Sequence, residues 1–179
     1  NAIGAKTSGV VTATLASTVI ADLTHVSTGL ATASTDVITI PVSDKATADQ
    51  GATIAGKTAG NITFSQGIED THGNLINGAA LHADLTAIYA NGGADAVAVT
   101  ITGTIDDITA NEVTALNLIT AGTTGTVTAT VDGNVAQLKT ITSSSGAFTI
   151  TVDDVSNAAD GATITETTSV TTVAFSAGI

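Results

Sequence analysis

Cysteine, methionine, tryptophan and arginine are all missing from this chain of 179 residues. Without cysteine there is no disulfide framework and no thiol chemistry. Without arginine, Lys6, Lys45, Lys57 and Lys139 are the only strong cations against 16 acidic residues, a formal net charge of −12. That balance excludes nucleic-acid binding, because neutralising phosphates requires a basic face. Aromatics are nearly as scarce, with Phe64, Phe148, Phe175 and Tyr89 making up 2% of the chain. Sugar-cleaving sites on extended β folds use Arg or Lys with aromatic platforms, so the composition argues against such an enzyme. No apolar run is long enough to cross a bilayer, and no membrane insertion is expected. The chain opens on Asn1 with no visible signal peptide, which we read as a processed product or an excised piece.

What is present in quantity is Thr, Ala, Gly and Ser, with Val and Ile as the main larger apolar residues. β-branched side chains restrict χ1 and suit pleated surfaces. Strict alternation appears at Val11 to Leu15 (Val-Thr-Ala-Thr-Leu), at Val99 to Thr102 and at Phe148 to Val152. That period of two predicts half-buried strands with threonine outward. Strand centres are expected near 13, 39, 63, 100, 128, 150 and 171. Between them lie short helical segments. Thr109 and Glu112 form a capping-box pattern that opens a helix carrying Val113, Leu116 and Ile119 on one face. Residues 79–90, 19–23 and 135–138 also read as helical.

The chain repeats itself. Val11 to Thr14 returns at Val127 to Thr130. Ala21 to Leu23 matches Ala136 to Leu138, and Val26-Ser27 matches Ile141-Thr142. Ile38 to Asp44 matches Phe148 to Asp154, and Gly51 to Ile54 matches Gly161 to Ile164. The order is conserved from one copy to the other, which implies duplication. We assign residues 1–60 to a first copy, 61–95 to an irregular insertion with a short helix, and 96–179 to a second copy, sharing one continuous core. The expected fold class is mainly β with short helices: a Thr-rich parallel β-solenoid-like repeat, with tandem Ig-like β-sandwiches as the alternative.

The segment Gly125 to Gly133 (Gly-Thr-Val-Thr-Ala-Thr-Val-Asp-Gly), followed by Ala136 to Ile141, resembles repeats of very large exported bacterial proteins. These include cyanobacterial and proteobacterial adhesins, S-layer-like proteins and haemolysin-type calcium-binding chains. The resemblance covers about residues 96–172 and, more loosely, 10–55. It implies an extracellular, cell-surface location, repetition and often calcium. One departure is that the Gly-Gly-x-Gly-x-Asp nonapeptide of calcium-binding rolls is absent; Gly92 to Asp95 is a fragment of it.

Calcium takes several hard oxygen ligands. Asp106, Asp107, Asp132, Asp153 and Asp154 follow strand ends at equivalent places in the repeat, Asp44 holds that place in the first copy, and Asp160 opens the next turn. These seven are the candidate calcium ligands. Aspartate at strand ends also makes turns and caps helices, the plainer role. No Gly-x-Ser-x-Gly elbow is present, and His25, His72 and His82 are scattered among helical candidates and a polar turn, so no catalytic residue is assigned. The expected function is a structural repeat module of a bacterial surface protein (S-layer, filament or giant adhesin) that self-associates. The alternative is a calcium-dependent adhesin domain for a cell-surface or glycan ligand. Ice binding through Thr-x-Thr ladders ranks lower, because Val37 to Ile40 and Ile62 to Ser65 break the ladder.

Overall fold

The computed structural model describes residues 9–24, 35–91 and 96–177. In chain order the elements are β1 (Thr12–Thr14), α1 (Ile20–Thr24), β2 (Val37–Val42), α2 (Ala48–Ala55), β3 (Ile62–Phe64), β4 (Ile68–Thr71), α3 (His72–Leu75), β5 (Ile76–Asn77) and β6 (Ala80–Leu81). They continue with α4 (Ala83–Ala90), β7 (Val99–Ile105), α5 (Ala110–Ala121), β8 (Val127–Gly133), α6 (Val135–Leu138), β9 (Ser143–Val152), α7 (Ala158–Thr167) and β10 (Thr168–Phe175). The chain divides into two compact units, Asn1–Glu69 with Ala83–Val97, and Asp70–His82 with Ala98–Ile179.

In the first unit β1, β2 and β3 form a parallel sheet in that order. Parallel neighbours cannot be joined by a hairpin, and the crossovers here carry α1 and α2. β2 alternates, burying Ile38, Ile40 and Val42. The lone proline, Pro41, sits in this strand but lies beyond the last β1–β2 pair, Thr14 with Thr39, so its missing N–H costs that ladder nothing. Ile20, Leu23, Ile54, Ile62, Leu85 and Ile88 complete the core. Buried Thr58 ties the sheet to the turn after α2. Its hydroxyl accepts from the N–H groups of Ile38 and Gly60, both at 2.8 Å, and faces the carbonyls of Asp36 and Ile38 at 2.9 and 2.8 Å. The backbones are so close there that a Cβ on Gly60 would lie 2.5 Å from the Ile38 carbonyl oxygen.

The second unit holds a sheet in the order β10-β9-β8-β7-β4, of which only Asp70 and Thr71 of β4 belong to this unit. β7, β8, β9 and β10 pair in parallel, joined through α5, α6 and α7. α5 opens as its capping box predicts: Thr109 Oγ1 accepts from the Glu112 N–H, and the Glu112 carboxylate accepts from the Thr109 N–H. Val113, Leu116 and Ile119 face the core. The antiparallel pair β5–β6 turns through Gly78 at φ 61°.

Both architectures expected from the sequence are corrected. The fold is mixed α/β, neither a β-solenoid nor a pair of Ig-like sandwiches. The pairs of both larger sheets described by register are parallel, which rules out the sandwich. Helices rather than further strands close the crossovers, which rules out the β-solenoid. Local capping is one reason. The pairs Thr47–Gln50, Thr109–Glu112 and Asn157–Asp160 each exchange side-chain-to-backbone bonds that satisfy the first free N–H groups of a helix. Alternation counting does not see such signals. Residues 79–90 also depart from expectation: Gly78 folds Ala80–Leu81 back onto Ile76–Asn77, and the helix begins only at Ala83.

The matched sequence blocks carry matched bonds. Asp44 Oδ1 accepts from the Ile20 N–H and Asp154 Oδ1 from the Val135 N–H, both at 2.9 Å. Ser43 N–H donates to Thr18 O, and Asp153 N–H to Gly133 O, both at 3.0 Å. Leu23 and Leu138 are buried, as are Ile54 and Ile164. The correspondence runs beyond the blocks visible in sequence. Ser65 places its N–H and hydroxyl on Val42 O, and Ser176 does the same on Val152 O, so Phe64-Ser65 in β3 and the following turn corresponds to Phe175-Ser176 at the end of β10.

Candidate cation site at the strand ends

Of the aspartates expected to bind calcium, the fold gathers Asp107, Asp132 and Asp153. Each offers a carboxylate oxygen, and these oxygens lie within 4.8 Å of one another. The turn after β7 places Asp107, Asp132 is the second-to-last residue of β8, and the residue after β9 is Asp153. Asp107 adopts φ 49°, a left-handed conformation that Asp tolerates better than most residues. Its N–H donates to Asp132 Oδ1 at 2.7 Å. Ser176 Oγ donates to Asp153 Oδ1 at 3.3 Å. The Asp153 carboxyl titrates above the ordinary carboxylate range. Partial loss of solvent is the main cause, the charges of Asp132, Asp107 and Asp154 add to it, and the Ser176 hydroxyl offsets part of it.

The other four candidates have different positions or partners. Asp44 and Asp154 hold the first N–H of α1 and α6. Asp160 pairs with Lys139 at 2.7 Å and closes the α7 cap on the Asn157 N–H, and these contacts, the Lys139 hydrogen bond first, hold its carboxyl below the usual range. Asp106 is exposed at the β7 turn. The plainer role of strand-end aspartate therefore accounts for Asp44, Asp154 and Asp160. Three carboxylates and a neighbouring hydroxyl suit a hard cation such as calcium, whose remaining ligands would be water.

The two described histidines, His72 and His82, have separate surroundings. His72 Nε2 stands 3.0 Å from Glu112 Oε1, off the line of a good hydrogen bond. The Glu112 carboxylate also takes the N–H and hydroxyl of Thr109, each at 2.8 Å. Despite partial burial, these contacts and the His72 charge hold it below the usual range. His82 precedes α4 instead of lying within it, and its backbone N–H donates to Leu75 O. His25 and the Gly92 to Asp95 fragment lie outside the described residues. In the first unit, an open groove of about 500 Å³ is lined by small residues such as Ala55, Gly56 and Ala87, with the Asn91 amide bonded to Thr58 O. The threonine face gives one row in register, Thr104, Thr130, Thr149 and Thr172. Its companion, Thr100 with Thr128, is interrupted by Ala147.

Comparison with protein-family models, curated proteins and solved structures found no match to this chain.

Proposed function

We propose that this chain is a structural repeat module of a bacterial extracellular surface protein, of the S-layer, filament or giant-adhesin kind, and not an enzyme. The reading is carried by the reuse of one strand–helix unit with matched bonds. Polar side chains that a catalytic site would aim at a substrate are instead turned onto the backbone of the next strand or helix, as with Asp44, Asp154, Thr58 and Ser176. The low charge and the abundance of threonine fit a β-rich surface solvated by hydroxyls. Antibody raised against the chain and applied to intact cells of its source should label their surface. Labelling only after lysis would sink the assignment.

A second reading is favoured by the convergence of Asp107, Asp132 and Asp153. Calcium held there would cross-brace the ends of β7, β8 and β9 and relieve the repulsion felt by Asp153. Titrating calcium at fixed ionic strength should raise the melting temperature of the native chain, and the rise should vanish in Asp132→Asn. An equal response from both proteins would remove calcium from the picture.

A further inference from the structure

The matched strands are not equally covered. In β8 the Val-Thr-Ala-Thr block buries Val127 and Ala129, at 0% and 3% exposure. In β1 the corresponding Val11 is half-buried and Ala13 is exposed. β8 lies between β7 and β9, whereas β1 ends its sheet. The imbalance is reversed at the last strand of each copy. β3 and β10 each end their sheets, but β3 buries Ile62 and Phe64, while their counterparts in β10, Val173 and Phe175, are only half-buried. The first copy thus leaves open at β1 the edge that β7 covers on β8, and the second leaves half-buried on β10 the side chains whose counterparts on β3 are buried.

We propose that the outer edge of β1 docks β10 of a second copy of this chain, in parallel and head to tail. The backbone directions fit. Val11 O accepts from the Val37 N–H, and Leu15 N–H donates to Thr39 O, both at 2.9 Å. Alternation then points the N–H and C=O of Thr12 and Thr14 away from β2. Their counterparts, Thr128 and Thr130, lie opposite Thr100 and Thr104 of β7. At the other end, Ser176 N–H donates to Val152 O, so Val173 and Phe175 point their backbone groups away from β9. Among the described residues nothing pairs with either edge. The pairing of β7 with β8 is the template: a parallel strand covers a Val-Thr-Ala-Thr edge, and the alanine of the covered strand is buried. A β1-to-β10 contact joins unlike surfaces and can repeat, giving a filament instead of a closed dimer. Each copy carries a net charge of −12, so association strengthens as salt screens the repulsion.

The proposal rests on the structural-module reading but not on where the module is displayed, so surface labelling and association can fail separately. The test is sedimentation and light scattering of the whole chain over a range of concentration and sodium chloride. Growing oligomers at high salt are expected; a monomer at every concentration and salt overturns the proposal. Thr12→Pro with Thr14→Pro removes outward N–H donors without touching a bond to β2, and Val173→Pro does the same on β10. Each variant alone should stay monomeric, and a mixture should give a one-to-one dimer that grows no further. If either variant alone forms dimers, the contact is not head to tail. Thermal melting checks that each variant folds. Should a proline variant melt early, Ala13→Glu and Val173→Glu put a charge on the surface to be sealed and must give the same pattern.

Discussion

Thr58 concentrates several backbone contacts in one hydroxyl. Replacing it by Val keeps the shape but strands the N–H groups of Ile38 and Gly60 in a buried place. A buried donor left unpaired costs about 1–3 kcal/mol, so urea unfolding should show Thr58→Val less stable by roughly 2–3 kcal/mol. Thr58→Ser, which loses one methyl and keeps the hydroxyl, should lose about 1 kcal/mol. Equal losses would mean the hydroxyl contributes nothing. The charged residues give a pH signature with opposite signs. Asp160 and Glu112 are held below their ordinary values, so their contribution is present above the unfolded carboxylate pKa and is lost as pH falls through the lower folded value. Asp153 is raised, so its penalty is present at neutral pH and is relieved as pH falls through the raised value. Without divalent ions, Asp153→Asn should raise the melting temperature at pH 7, and Asp160→Asn should lower it. Both differences should shrink in acid; a gap for Asp160→Asn that persisted there would assign its effect to packing.

At the scale of elements, helix entry decides the architecture. Thr109→Ala removes the acceptor for the Glu112 N–H and should destabilise the second unit by about 1 kcal/mol, read by urea denaturation. Restoration by Thr109→Ser would separate the cap from the lost methyl. α5 was legible because a capping pair stood directly before Val113, Leu116 and Ile119. The strands were legible where alternation was strict, as in β8. α2 and α7 escaped notice because Ala, Gly and Thr leave each little larger than Ile54 or Ile164 to mark an inner face. The Thr47–Gln50 pair nonetheless carries the same signal as Thr109–Glu112. β5 and β6 were missed for their length, although Gly78 opens the two-residue loop Gly78-Ala79 between them, a position where glycine is a turn signal. For the candidate site, the sequence shows aspartates at strand ends. It does not show which of them converge, because that depends on strand register and on the left-handed turn at Asp107.

The whole molecule is an excess of negative charge on a small, weakly charged chain. Self-repulsion of this kind destabilises the compact state and is screened by salt. Sodium chloride should therefore raise the melting temperature steadily, and magnesium should match calcium at equal ionic strength if screening is all that operates. A calcium effect larger than that of magnesium would point to the flexible multi-oxygen coordination that calcium accepts and magnesium resists.

Copies that share matched strands in one polypeptide also create a sorting problem during folding, since a strand of one copy can be captured by the partner meant for the other. Pro41 makes that competition unequal. It occupies the place held in the second copy by Thr151, which lies opposite Asp132 inside the β8–β9 ladder. β2 captured by β8 would bring a residue with no N–H into that ladder and forfeit a bond there. In its own sheet the same residue falls past the last β1 pair, the bonds to the β3 side are made by Ile40 N–H and Val42 O on either side of it, and its own carbonyl accepts from the Thr18 N–H. The single proline thus acts as a sorting mark between copies. Pro41→Thr should leave the native melting temperature nearly unchanged while lowering the yield of correctly refolded chain after dilution from urea. An unchanged yield would show that the copies are told apart by other means.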